Sequence, residues 1–263
     1  PKGSAWRRWQ VDPEAAKTQV SLKALDPDDK PFSGGDKAAD KAAVEALADE
    51  IDRLQNVFHP DGRFKMLVVL QGTDTSGKDG TVRGVFSRTS PLGVRTVGWK
   101  APTERERAHD FLWRIHQAVP GSGEIVVFNR SHYEDVLVPV VNGWIDAAQT
   151  KQRYAQLNDF ERLLAETGTV ILKFMLHIGF DEQRQRLQDR IDDPEKHWKF
   201  SLGDLEVRKQ WPKYQKAYED LGNPDAYFND RVIEVIDHLL SAPPAPATIA
   251  LVQPSVYYAF ADP

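Results

Sequence analysis

The stretch Gly72-Thr73-Asp74-Thr75-Ser76-Gly77-Lys78-Asp79-Gly80-Thr81 carries the clearest chemistry in this chain. Its spacing is G-x-x-x-x-G-K. Gly72, Gly77 and Gly80 let successive backbone N–H groups turn inward around a phosphate. A helix starting here points its positive end at the same place, with Gly80 and Thr81 in its first turn. Lys78 supplies a charge that reaches terminal phosphates. The next position usually holds Ser or Thr, whose hydroxyl binds Mg²⁺; here it is Asp79, and a second carboxylate, Asp74, lies inside the loop. Two anions beside a phosphate repel it unless a cation bridges them. Asp74 and Asp79 therefore hold Mg²⁺, or receive a proton, or orient an attacking group. Asp79 also suits a helix N-terminus simply as a charge.

A second polar cluster is Phe128-Asn129-Arg130-Ser131-His132-Tyr133-Glu134-Asp135. Arg130 is suited to clamp a transferring phosphate. Glu134 and Asp135 can bind metal or hydrogen-bond a substrate. His132 reads as structural, because it has no metal-ligating neighbours in sequence. Further on, Arg186 and Arg190 stand four apart, on one helical face. Lys196, Trp198 and Lys199 follow, then Arg208, Lys209, Lys213 and Lys216. Acidic residues interleave them, so a solvated, salt-bridged face is the plain reading. Beside a phosphate loop, an arginine-bearing helical insertion is also where kinases carry a lid.

These groups need a scaffold. Met66 to Leu70 is a short, continuously apolar run directly before the glycine loop, as expected of a strand buried on both faces. Val94–Val97, Glu124–Phe128 and Val170–Leu176 predict three more strands. Residues 36–58 predict a helix, with Ala43, Val44, Leu47, Ile51, Leu54 and Val57 on one stripe, stopped by Phe58–Gly62. Helices are expected over 103–119 and 154–167, and over 181–220 with breaks at Asp193-Pro194 and Trp211-Pro212. Val232 to Leu240 predicts a last amphipathic helix. Strands alternating with helices imply an α/β fold with a parallel sheet. The second cluster then falls at the carboxyl end of a strand, where open sheets bind ligands. Residues 1–36 read as an irregular extension.

The 263 residues carry 41% hydrophobic side chains, enough for a core. No apolar run reaches membrane-helix length. Pro1–Trp9 has no apolar h-region and is not expected to be a secretory signal. Cysteine is absent, which excludes thiol catalysis and zinc–thiolate sites and fits a reducing, cytoplasmic setting. A net charge of −5 speaks against general nucleic-acid binding, so a polyanion needs locally gathered cations.

In order and spacing, three stretches resemble the polyphosphate kinase 2 family: Val68–Thr81, Phe128–Leu137 and Arg190–Ser201. The likeness covers roughly residues 20–220. It implies a P-loop, thymidylate-kinase-like fold over 37–263 with a helical lid at about 181–220. It implies Mg²⁺-dependent, reversible phosphoryl transfer between inorganic polyphosphate and adenine or guanine nucleotides, with no nucleic acid or membrane partner, in a homo-oligomer. Asp74 and Lys78 match the loop residues for phosphate and metal, Arg130 the arginine of the second motif, and Arg186 and Arg190 the lid arginines. Lys196 and Lys199 fall in its D-P-x-K-x-W-K motif. Glu134 matches the subgroup accepting AMP as well as ADP. The family's fifth strand is missing near residues 221–230, diverged, or supplied by Thr248–Val252. The rivals are an ATP-dependent nucleoside monophosphate kinase and a nucleotide-binding module without turnover.

Overall fold

A computed structural model describes residues 21–28, 33–221 and 257–258. Helix α1, Lys37–Asp61, starts where the Asp36 carboxylate accepts from the Ala38 and Ala39 N–H groups. It runs through Pro60, three residues past its expected stop at Phe58, and ends at Gly62, whose φ of 64° suits a left-handed cap.

The strands fall where the apolar runs predict them. They are β1 (Lys65–Gly72), β2 (Val94–Gly98), β3 (Ile125–Asn129) and β4 (Thr169–Leu176). The order is β2-β3-β1-β4, all parallel, with Tyr257–Tyr258 (β5) pairing outside β4 at Phe174 and Met175. Thr248–Val252 and Val232–Leu240 lie outside the described residues.

Alternation along β1 divides the core. Leu67 and Val69 face a cluster with Val126, Phe128, Ile171, Leu157 and Phe160. Met66, Val68 and Leu70 face Ile125 and Val127, under Phe58, Val82 and Phe86. Both faces are covered, which is why β1 reads as an unbroken apolar run. The covering helices are α1, α2 (Lys78–Phe86), α5 (Glu134–Val141), α6 (Ala147–Glu166) and α9 (Trp211–Leu221). Leu22, in a 3₁₀ turn at Leu22–Ala24, is also buried in the larger cluster, and its N–H donates to Glu219 at 2.9 Å.

One expected helix breaks up. Residues 103–119 form two short pieces, α3 (Glu104–Arg107) and α4 (Trp113–His116). Between them the Asp110 side chain accepts from Leu112 N–H at 2.9 Å, a local turn that competes with helix. Arg114 is drawn to Asp135 and to the Lys100 carbonyl. The apolar periodicity of Phe111, Leu112 and Ile115 was thus produced by packing, not by one helix. Residues 180–221 do break as expected at Asp193-Pro194, giving α7 (Phe180–Asp192), a 3₁₀ turn at His197–Lys199, α8 (Leu202–Lys209) and α9.

Candidate active site

The phosphate loop joins β1 to α2 at the carboxyl edge of the sheet. Gly72 has φ of 150°, and a Cβ there would meet the Leu176 carbonyl and Ser76, so only glycine fits. Gly77, with φ of 94°, caps α2. Lys78 is 7% exposed. Its Nζ donates to the carbonyls of Gly72 and Thr73, both at 2.8 Å, and to Ser76 Oγ at 3.2 Å. Burial, and then the nearby Arg130 charge, lower its pKa to about 8. Thr81 bonds back to the Gly77 carbonyl at 3.2 Å, within its own helix, and Gly80 faces open space.

Arg130 leaves β3 with φ of 65°, a left-handed conformation rare for arginine. It forks between two carboxylates: one nitrogen pairs with Asp74, another donates to Glu134 at 3.1 Å. Burial opposes its charge, but Glu134 and Asp74 outweigh that and raise its pKa. Glu134 is held in turn by Gln71, whose Nε2 donates to it at 2.5 Å while its Oε1 accepts from Ser131 at 3.0 Å. Asp74, Lys78, Arg130 and Glu134 therefore form one cluster.

Asp79 stands at its side, with Oδ1 accepting from Asn129 Nδ2 at 2.7 Å and Oδ2 lying 3.9 Å from Lys199. Arg186 donates to the Thr75 carbonyl at 3.2 Å and to Glu182 at 2.6 Å. Arg190 donates to the Lys199 carbonyl at 3.1 Å and lies 3.5 Å from Asp204. Lys196 is not in the cluster; it pairs with Asp193 at 2.8 Å on the exposed side of the Pro194 turn.

No group of three acidic, His or Cys ligands exists among the described residues. The carboxylates of Asp74 and Asp79, both beside the phosphate loop, are nevertheless of the kind that suits a divalent cation. The Thr73 and Thr75 hydroxyls of the same loop are buried without hydrogen-bond partners, as expected of a loop whose polar atoms await a ligand.

Beyond Arg130 opens a cavity of about 1100 Å³, walled by Trp99, Lys100, Asp135, Arg153, Tyr214 and Tyr218 among others. Its rear wall is stiff. Arg114, 7% exposed, donates to Asp135 at 2.9 Å, and Arg153 donates to the Asp135 carbonyl at 2.5 Å. Burial raises the Asp135 pKa despite Arg114. Asp135 is thus tied into the wall rather than free for a ligand.

A family model described as polyphosphate kinase 2 matches residues 34–224. The chain belongs to the polyphosphate kinase 2 family. The match spans every site residue above. A second model, for a protein of unknown function, matches residues 206–263. The AMP/ADP-polyphosphate phosphotransferase of Meiothermus ruber is 50% identical over 213 residues, 81% of this chain and 79% of that one. The ADP-polyphosphate phosphotransferase of Rhodopseudomonas palustris is 40% identical over 191 residues, 68% and 65% of the two chains. The crystal structure of polyphosphate kinase 2 from Arthrobacter aurescens TC1 superposes with a TM-score of 0.79 at 37% identity, over 93% of this chain and 95% of that one.

Sequence reasoning missed what lies behind the family's second motif. Glu161 of α6 is 2% exposed. It accepts from His132 at 3.1 Å, from Tyr133 at 2.5 Å and from Lys173 of β4 at 2.6 Å. Burial opposes its charge, but Lys173 and His132 lower its pKa to about 2. His132 is fully buried, so its structural reading agrees with its place. The only available signal was a lysine inside an apolar strand, Val170–Leu176, which needs a buried partner.

Proposed function

We propose that this protein catalyses reversible phosphoryl transfer between inorganic polyphosphate and AMP or ADP. The observation that carries it is the fork of Arg130, which joins Asp74 of the phosphate loop to Glu134 at the cavity wall. A group held over the loop and a nucleotide in the cavity meet at this guanidinium. The relatives' names add the substrates.

Polyphosphate enters along the cations of the loop and of residues 181–220, which act as the lid of a kinase unit spanning 37–263. Lys78 turns from the loop carbonyls to the terminal phosphate. An anionic oxygen of the nucleotide's terminal phosphate attacks in line. The bond to the penultimate phosphate breaks, and the shortened chain leaves with the electron pair. The nucleophile is already charged, so no strong base is required. Lys78, Arg130, Arg186 and Arg190 stabilise the charge on the moving group. Asp74 and Asp79 would hold Mg²⁺, which would supply neutralising charge for the phosphate oxygens. Gly72, Gly77, Gly80 and Thr81 shape the cradle, Lys199 closes over Asp79, and Lys196 approaches the chain from the lid surface. Glu134 and the cavity admit AMP as well as ADP, and guanine nucleotides by the same phosphate contacts. No helix among the described residues is long and apolar enough to cross a membrane. A cytoplasmic homo-oligomer completes this reading.

The test incubates purified protein with Mg²⁺, long-chain polyphosphate and AMP or ADP, following nucleotides by chromatography, with Lys78→Ala alongside. ADP or ATP forming only with polyphosphate and intact Lys78 is the expected result. ADP formed from ATP and a monophosphate, with polyphosphate inert, replaces this reading by a monophosphate kinase.

A further inference from the structure

Gln183 plays no part in the roles assigned above. It sits on α7 and is 0% exposed. Its Nε2 donates to the Asp74 carbonyl at 3.2 Å, and its Oε1 accepts from Arg208 of α8 at 3.1 Å. Arg208 is itself seated: it lies 3.5 Å over the Phe180 ring and donates to the Phe180 carbonyl at 2.6 Å. The same helix carries Asp204, the partner of Arg190. A buried amide costs about 1–3 kcal/mol for each polar group left unpaired. Here both ends are paired. A position needed only for packing accepts methionine or leucine at this volume.

The bond lands where the backbone is strained. Thr75 has φ of 66°, in the left-handed region that a β-branched residue rarely visits. Such a conformation costs of order 1–3 kcal/mol and persists only where its surroundings impose it. Side chains of α7 grip both carbonyls of this turn: Gln183 at Asp74 and Arg186 at Thr75. Holding these two carbonyls holds the backbone of Asp74, from whose Cα the carboxylate reaches Arg130.

We infer that Gln183 is a positioning residue for phosphoryl transfer, relaying the seating of α8 to the Asp74–Thr75 turn of the phosphate loop. This rests on the phosphotransfer reading. When α8 is in place, Arg208 fixes the glutamine amide, and the amide fixes the loop.

The decisive variant is Gln183→Glu. The new carboxylate keeps Arg208 but has no proton for the Asp74 carbonyl. Near pH 8 its kcat is expected to fall about tenfold or more, with the nucleotide KM within about threefold and the melting temperature retained. Gln183→Met loses both bonds, and its kcat is expected to fall as far. Arg208→Met added to it costs no further kcat, because Arg208 acts through the glutamine. If Gln183→Met does not fold, Gln183→Glu carries the test alone. A kcat for Gln183→Glu within about twofold of wild type near pH 8 overturns the proposal. Wild-type protein without polyphosphate-dependent product sinks the functional reading instead. The proposal is then read from the rise in melting temperature given by tripolyphosphate. Gln183→Glu is expected to lose this rise near pH 8, and an unchanged rise overturns it.

Discussion

Lys78 is charged at neutral pH only by a modest margin. Buried and beside Arg130, it titrates at about 8 in the free protein. The protonated form, present below that value, is the one that meets phosphate. kcat/KM for polyphosphate, which reports the free enzyme, should therefore fall on the alkaline side with a limb near pH 8. The kcat limb should lie higher, because bound phosphate favours the ammonium. Lys78→Arg should remove the limb, and an unchanged limb in that variant would exclude Lys78 as its source. Arg130 supports a second prediction. Its two nitrogens serve two carboxylates, which one ammonium cannot do. Arg130→Lys should lower kcat about 10²-fold, measured by steady-state turnover, with little change in melting temperature. Both residues were legible in the sequence, because a phosphate loop and a strand-end arginine are local patterns. Gln71 and Gln183 were not. A buried glutamine has no sequence signature, and its meaning comes from what the fold sets against each end of its amide.

At the scale of elements, β1, β3 and β4 declared themselves as apolar runs because both faces of a parallel sheet are covered. Residues 103–119 misled, because apolar spacing records which side chains are buried, not which backbone bonds form. The most consequential tie between elements is the buried set of Glu161 on α6, Lys173 on β4 and Tyr133 after β3. It clamps the turn that carries Arg130 and Glu134. Glu161→Gln should destabilise the protein by about 3–5 kcal/mol in denaturant titrations, since Lys173 then lacks its carboxylate in a buried site. The pH dependence follows from the lowered pKa of Glu161. Its stabilising contribution is present above the unfolded value of about 4.5 and is lost as pH falls through about 2. A Glu161→Gln variant should therefore lose less stability than wild type on acidification across that window.

For the molecule as a whole, the cavity beyond Arg130 is closed on one side by α9, whose Ala217 and Tyr218 pack in the same cluster as Leu22. Leu22→Ala should cost about 2–5 kcal/mol of stability by leaving a cavity. It should also raise the nucleotide KM more than it lowers kcat, because Tyr214 and Tyr218 form the cavity wall while the phosphate loop rests on β1. An unaltered KM in a folded variant would show that α9 is seated without Leu22. What the sequence alone determined is local: loop spacing, strand ends, the break at Pro194 and the three family stretches. Each depends on residues adjacent along the chain, where spacing and chemistry coincide. The tertiary structure decided the rest. It placed Arg130 between Asp74 and Glu134, paired Asp135 with Arg114 instead of leaving it for a ligand, kept Lys196 out of the cluster, and joined Gln183 to the loop across 109 residues. Those pairings depend on which side chains the folded sheet brings within hydrogen-bond reach, and a linear pattern holds no record of that distance.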